Sequence, residues 1–202
     1  MKKHQIRMTS KRPKLVVAGD GGVGKSSIIV RYTKDQFSEG YEPTLEDNYY
    51  TKIDLANGES LEIEIADTAG QEDYKALRDK FMAEGDAFLI VYSIIDARSL
   101  QMAESLLEQI SVLHEGESFK FVLAGNKCDK EAQRQVTQEE GKELAQKHKG
   151  TFIETSALSA VNVKEVFECL GKMLVQPETP QTTQSEGSCC TIEIGRASCR
   201  ER

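Results

Sequence analysis

The sequence predicts an α/β domain built on a six-stranded, mostly parallel sheet with helices on both faces. Three observations predict it. Apolar runs of strand length alternate along the chain with amphipathic helical patterns. Two of those runs, 87–92 and 119–124, are nearly all apolar, as strands covered on both faces are. A third pair of strands flanks an Asn-Gly turn and supplies one antiparallel hairpin. A length of 202 residues suits one domain with a core large enough to fold unaided.

The elements follow in order. Lys14–Ala18 is a buried strand and Lys25–Lys34 a helix. Residues 35–48 are polar, carry Gly40 and Pro43, and read as a loop. Tyr49–Leu55 and Leu61–Ala66 alternate around Ala56-Asn57-Gly58-Glu59, the hairpin turn. Ala87–Tyr92 and Phe119–Ala124 are strands. Between them Leu100, Ala103, Leu106, Leu107, Ile110 and Leu113 recur at helical spacing. Thr137 starts another helix, with Glu140 completing a capping box. Thr151–Thr155 is the sixth strand, and Val163, Val166, Phe167, Leu170 and Leu174 mark the last helix. The domain is thus expected over residues 14–175, after a basic arm at 1–13 and before a flexible tail at 176–192 rich in Thr, Gln and Pro.

Composition narrows the function. A net charge of −7 argues against nucleic acid as a bulk partner. No signal peptide and no run of 18 apolar residues is found, so no spanning segment or secretion is expected. The five cysteines are scattered and odd in number, which argues against a disulfide framework, and none has zinc spacing.

Residues 19–27 read Gly-Asp-Gly-Gly-Val-Gly-Lys-Ser-Ser and fit G-x-x-x-x-G-K-[ST] at Gly19, Gly24, Lys25 and Ser26. The strand before and the helix after are what a phosphate-binding loop requires. The backbone of Gly21, Gly22, Val23 and Gly24 can turn its N–H groups onto phosphate oxygens. The helix N-terminus at Lys25, Ser26 and Ser27 adds a favourable dipole. Lys25 reaches the β- and γ-phosphates, and the Ser26 hydroxyl suits Mg²⁺.

Three further segments follow strands, where open α/β sheets bind ligands. In Asp67-Thr68-Ala69-Gly70-Gln71, a carboxylate can hold Mg²⁺ through a water, Gly70 can offer its N–H to a γ-phosphate, and Gln71 can orient an attacking water. In Asn126-Lys127-Cys128-Asp129, the Asp129 carboxylate can accept two N–H bonds from guanine, which adenine cannot offer. In Glu154-Thr155-Ser156-Ala157, the Ala157 N–H can meet the guanine oxygen.

Residues 14–175 resemble a Ras-type small GTPase of the Ras/Rap branch, with the fold of P-loop NTPases. Tyr41, Glu42, Pro43, Thr44, Leu45, Glu46, Asp47, Asn48 and Tyr49 are similar to the Ras/Rap effector loop, and residues 71–82 to the second switch. The absence of Trp and the 24 residues between Asp129 and Glu154 fit Ras better than Rab or Rho. The resemblance implies GTP/GDP and Mg²⁺ as ligands, and slow GTP hydrolysis. It makes Gln71, Lys25 and Thr44 catalytic. Thr44 joins Ser26 on the metal, with Asp67 acting through a water. Phe37 packs on guanine, Tyr41 lies over the nucleotide, and Ser156, Ala157 and Leu158 border the base. It implies an exchange factor, an effector with a Ras-binding-type domain, and a GTPase-activating partner whose arginine adds roughly 10³–10⁵ to the rate. A monomer is expected.

There are departures. Asp20 stands where Ras has Ala, at a position expected to point away from the phosphates. Gly40 precedes Tyr41 where Ras has Glu and Rap has Lys. Leu158 replaces a Lys whose stem lies on the base. Two rival functions remain at this point, a non-hydrolysing GTP-binding scaffold and an ATP-using enzyme. Gly21, Thr44 and Gln71 disfavour the first; Asn126, Lys127 and Asp129 disfavour the second.

Cys189-Cys190-Thr191-Ile192 reads as a C-a-a-X box, with prenylation expected on Cys189 or Cys190 and attachment to the cytoplasmic face of a membrane. A single chain binds only marginally, so palmitate on the other cysteine or the basic arm would be needed as well. Residues 193–202 are expected to be translated adapter sequence rather than native, in which case the 202-residue chain is soluble.

Overall fold

The computed structural model describes residues 12–37, 46–55, 58–68, 75–115 and 118–175, without the side chains of 46 and 75–78. The arm through residue 11, the turn residues Ala56 and Asn57, and the tail from 176 lie outside the described residues.

Six strands form one sheet in the order β2-β3-β1-β4-β5-β6. They are β1 (Lys14–Gly19), β2 (Glu46–Asp54), β3 (Ser60–Thr68), β4 (Ala87–Ser93), β5 (Phe121–Asn126) and β6 (Thr151–Glu154). Five helices flank it: α1 (Lys25–Lys34), α2 (Lys75–Glu84), α3 (Ala97–Leu113), α4 (Gln138–Lys147) and α5 (Val163–Val175). Every neighbouring pair is parallel except β2 and β3, the expected hairpin. Its turn is closed by Leu55 N–H donating to the Glu59 carbonyl at 2.8 Å.

The period-two geometry of a strand splits each apolar run between two cores. Leu15 and Val17, Leu89 and Val91, and Val122 and Ala124 face one side, where Ile28 and Ile29 of α1 and Val166, Phe167 and Leu170 of α5 cover them. Val16 and Ala18, Phe88 and Ile90, and Phe121 and Leu123 face the other, under Met82 of α2, the α3 residues Ala103, Leu106, Leu107 and Ile110, and Leu144 of α4. All of these but Leu144 are at most 1% exposed, so hydrophobic burial at about 1.5–3 kcal/mol per large side chain holds both layers. Tyr32 of α1 stacks on Phe167 of α5 with ring centroids 3.9 Å apart, which fixes α1 against the sheet. Burial, with help from Asp54 and Glu168, pushes the Tyr32 phenol up to about 12.

The start of α4 is as the sequence predicts. Thr137 accepts from Glu140 N–H, and the Glu140 carboxylate accepts from Thr137 N–H at 2.7 Å, so the capping box forms. Other boundaries differ. The loop expected over 35–48 ends early, because β2 begins at Glu46 and its pairing with β3 runs out to Glu46 opposite Thr68. Polar side chains are tolerated there because β2 is an edge strand. The strand expected at Phe119–Ala124 lies two residues later, at Phe121–Asn126. Register against β4 sets it, while Phe119 stands outside and packs edge-on against Phe88. Helix α2 and a 3-10 helix at Cys128–Gln133 have no counterpart in the sequence reading.

Candidate functional site

The turn from β1 into α1 is shaped by close approach. A Cβ on Gly19 would lie 2.1 Å from the Val91 carbonyl oxygen of β4. At Gly24 the backbone is left-handed, φ 100°, and a Cβ would lie 2.3 Å from Asn126 Nδ2. No side chain caps α1 and no acid lies in its first turn, as suits an anion-binding helix end. Lys25, 7% exposed, curls over the loop and donates from Nζ to the Gly19 carbonyl at 3.1 Å and the Asp20 carbonyl at 2.8 Å. Asp20 turns its carboxylate onto the loop's own backbone and accepts the Gly21 N–H at 2.6 Å.

Asp67 ends β3 beside this loop. Ser26 Oγ donates to its Oδ2, while Oδ1, fully buried, has no hydrogen-bond partner among the described residues. Burial pushes the Asp67 carboxyl up to about 6; the Ser26 hydrogen bond and the Lys25 charge pull it back. A buried carboxylate with one spare oxygen, next to a serine hydroxyl, is a hard-oxygen donor set and fits Mg²⁺. No group of three or more His, Cys, Asp or Glu side chains that could hold a metal occurs among the described residues.

The segments after β5 and β6 meet at Asn126. It is 2% exposed, and its Nδ2 donates to the Val23 carbonyl at 2.8 Å. Its Oδ1 accepts from Ala157 N–H at 3.2 Å and Thr155 Oγ1 at 3.3 Å. One amide therefore joins the phosphate loop to the last loop. Lys127, left-handed at φ 68°, donates from Nζ to the Gly22 carbonyl at 2.8 Å; burial holds its ammonium below the usual lysine value. Asp129 Oδ1 accepts from Ser156 Oγ, which in turn accepts the Ser159 N–H at 3.0 Å. Leu158 is about half exposed beside them.

Further residues complete this arrangement, and the sequence reading did not single them out. Arg134 donates bidentately to Glu154, at 2.6 and 3.0 Å, and also to Glu131. These two carboxylates hold its guanidinium charged. The pair ties the 3-10 helix after β5 to the end of β6. Arg31 of α1 reaches the carbonyls of Ala157 and Leu158. Neither arginine belongs to a recognisable motif; only three-dimensional proximity exposes them.

Gly21, Gly22, Val23, Gly24, Lys25, Ser26, Ser27, Asp67, Asn126, Lys127, Asp129, Ser156, Ala157 and Leu158 thus sit on four segments joined by hydrogen bonds at the carboxyl end of the sheet. Phe37 packs at the edge of the core below α1. Tyr41, Glu42, Pro43, Thr44, Leu45, Gly70, Gln71, Cys189 and Cys190 lie outside the described residues. Of the effector stretch, Glu46, Asp47, Asn48 and Tyr49 open β2.

The Ras family model matches residues 14–176. The chain belongs to the Ras family. It is 44% identical over 159 residues to the Ras-like protein rasC of Dictyostelium discoideum, a match covering 78% of this chain and 84% of that one. It is 41% identical over 174 residues to the Ras-related protein Ral-a of Drosophila melanogaster, covering 86% of each. It is also 41% identical over 160 residues to Ras-like protein 2 of Mucor circinelloides f. lusitanicus, covering 79% of this chain and 80% of that one. This family member is a small GTPase that binds GTP and GDP, hydrolyses GTP and acts as a switch between them. No helix among the described residues is long and apolar enough to cross a membrane.

Proposed function

We propose that the guanine nucleotide lies across the carboxyl end of the sheet, its base between Phe37 and the Asp129 and Ser156–Leu158 segments and its phosphates on residues 21–27. The observation that carries this is Asn126, whose single side chain bonds both the phosphate loop and the Ala157 N–H. Asp129 selects guanine through two N–H bonds, and Lys25 neutralises the β- and γ-phosphates. Ser26 and Thr44 hold Mg²⁺, with Asp67 engaging it through a water. When bound, the ion neutralises charge on the phosphate oxygens.

In hydrolysis, Gln71 orients a water in line with the γ-phosphorus. The new P–O bond forms as the bond to the β-phosphate oxygen breaks; GDP leaves, and the water's proton ends on the released phosphate. The chain has no arginine in residues 35–50, so a GTPase-activating partner supplies one. Residues 41–49 bind an effector in the GTP state, as in the Ras/Rap branch, and an exchange factor reloads the site. Prenylation on Cys189 or Cys190 of a chain ending near Ile192 anchors it to a membrane.

Competition of GTP against ATP, with single-turnover hydrolysis, tests the catalytic part. GTP should win, and Gln71→Leu and Gly21→Val should each abolish partner-stimulated hydrolysis while nucleotide still binds. Stimulated hydrolysis at the wild-type rate in either variant would refute the arrangement.

A further inference from the structure

We propose that Arg31 is a positioning residue of the base site, a guanidinium strap that sets how long the nucleotide stays bound. Arg31 lies in the last turn of α1. Its Nε donates to the Ala157 carbonyl at 2.9 Å and its Nη2 to the Leu158 carbonyl at 2.9 Å. Its Nη1 donates to the Asp35 carbonyl at 3.2 Å and lies 3.6 Å from Asp35 Oδ1. Its Cζ lies 5.9 Å from the centre of the Phe37 ring. A single planar cation therefore touches both walls expected to enclose the base.

A basic residue in the last helical turn ordinarily complements the helix dipole. That accounts for the contact with Asp35, which closes α1 in a left-handed conformation at φ 51°. It does not account for the other two carbonyls, 126 and 127 residues away in sequence. The Arg31 side chain is only 17% exposed; its bond to Ala157 is partly buried, where a charge-assisted bond is strengthened, while those to Leu158 and Asp35 lie at the solvent rim. The fork geometry matters as well. Two carbonyls on one segment and a third on another match the spread N–H groups of a guanidinium; an ammonium is a point charge and cannot span them.

The strap acts through its neighbours. It holds Ala157 and Leu158 so that the Ala157 N–H and the Leu158 side chain keep their place, and it holds the Phe37 ring on the opposite wall. Loss of Arg31 releases both walls together, so the change falls on nucleotide escape.

This inference rests on reading Phe37 and residues 156–158 as the base site, and the experiment separates the two. The full chain is loaded with a fluorescent GDP analogue in Mg²⁺ and chased with excess GDP. Arg31→Ala should speed release by roughly tenfold or more, the effect of losing charge-assisted bonds. Arg31→Lys should recover only part of the wild-type residence time, and it guards against a folding failure of the alanine variant. Phe37→Ala should also speed release. The double variant should fall short of the product of the single effects, because the strap works partly through that ring. Release at the wild-type rate in Arg31→Ala, full rescue by lysine, or strictly multiplicative effects with only a lower Tm would each overturn the strap. Asp129→Asn, measured alongside, checks the base site itself: unchanged guanine preference there removes the base site, whereas a shifted preference with wild-type release in Arg31→Ala removes the strap alone.

Discussion

The two ends of the candidate site are built on opposite terms. At the base end the polar groups already bond one another: Asn126 with Val23, Thr155 and Ala157, Asp129 with Ser156, Arg134 with Glu154. At the phosphate end a buried carboxylate, Asp67, keeps an oxygen without a partner among the described residues. The first arrangement is internally hydrogen-bonded, which fixes its shape. The second stores a desolvation cost that an incoming cation relieves, which couples binding to stability. On the proposed function, discrimination and switching fall to different loops of one sheet.

The largest test of that division is a change that strikes both ends. Gly24→Ala places a Cβ against Asn126 Nδ2 on a left-handed backbone. Strain plus the lost Asn126–Val23 bond should cost about 3 kcal/mol or more. Nucleotide affinity and Tm should fall together; a fall in affinity alone would mean that the base end does not depend on the loop.

Arg134→Ala breaks the base end only. The Arg134 and Glu154 side chains are 16% and 11% exposed, so a Glu154 that keeps only the Gln138 amide and loses its counter-charge should cost about 2–4 kcal/mol. Denaturant unfolding should show it, and selectivity for guanine over adenine nucleotides should narrow. Arg134→Met with Glu154→Leu should recover much of the stability without the selectivity.

Asp67→Asn addresses the phosphate end through pH. The folded carboxyl titrates near 6, above its unfolded value of 3.8. Between those values the native state holds the extra proton, so stability of the nucleotide-free protein falls as pH rises from about 4 to 6 and stays low above that. The asparagine variant lacks this loss. Without nucleotide or Mg²⁺ it should be more stable than wild type by about 2–3 kcal/mol at pH 7.5, with the gain fading toward pH 4. With Mg²⁺ and GTP the order should reverse. A pH-independent difference would sink this account of Asp67.

The smallest effect is a control remote from both ends. Thr137→Ala removes the capping box of α4 and should cost about 1 kcal/mol in chemical denaturation, with GDP dissociation unchanged.

The same contrast explains what the sequence disclosed. Helix α1, the hairpin and the alternating strands follow from local periodicity and turn chemistry, which the chain carries in neighbouring residues. The glycine loop, Asp67, Asn126 and Asp129 were legible because each follows an apolar run at a strand's end. Arg31 and Arg134 were not, since their partners are set by tertiary approach and a surface arginine in a helix or turn has no distinguishing neighbours. The start of β2 was hidden for a related reason. Glu46, Asp47 and Asn48 look like loop residues, and only pairing with Thr68, Asp67 and Ala66 makes them strand.

That pairing carries a mechanical consequence. Asp47 lies directly opposite Asp67, and β2 forms the outer edge of the sheet. A partner seated along that edge is separated from β1 and its loop by β3 alone, and from β6 by the whole width of the sheet. It therefore has a short lever to Asp67 and none to the loops after β5 and β6. On the proposed placement of the nucleotide, whatever docks on β2 would lie one strand from the phosphate side and the full sheet width from the base.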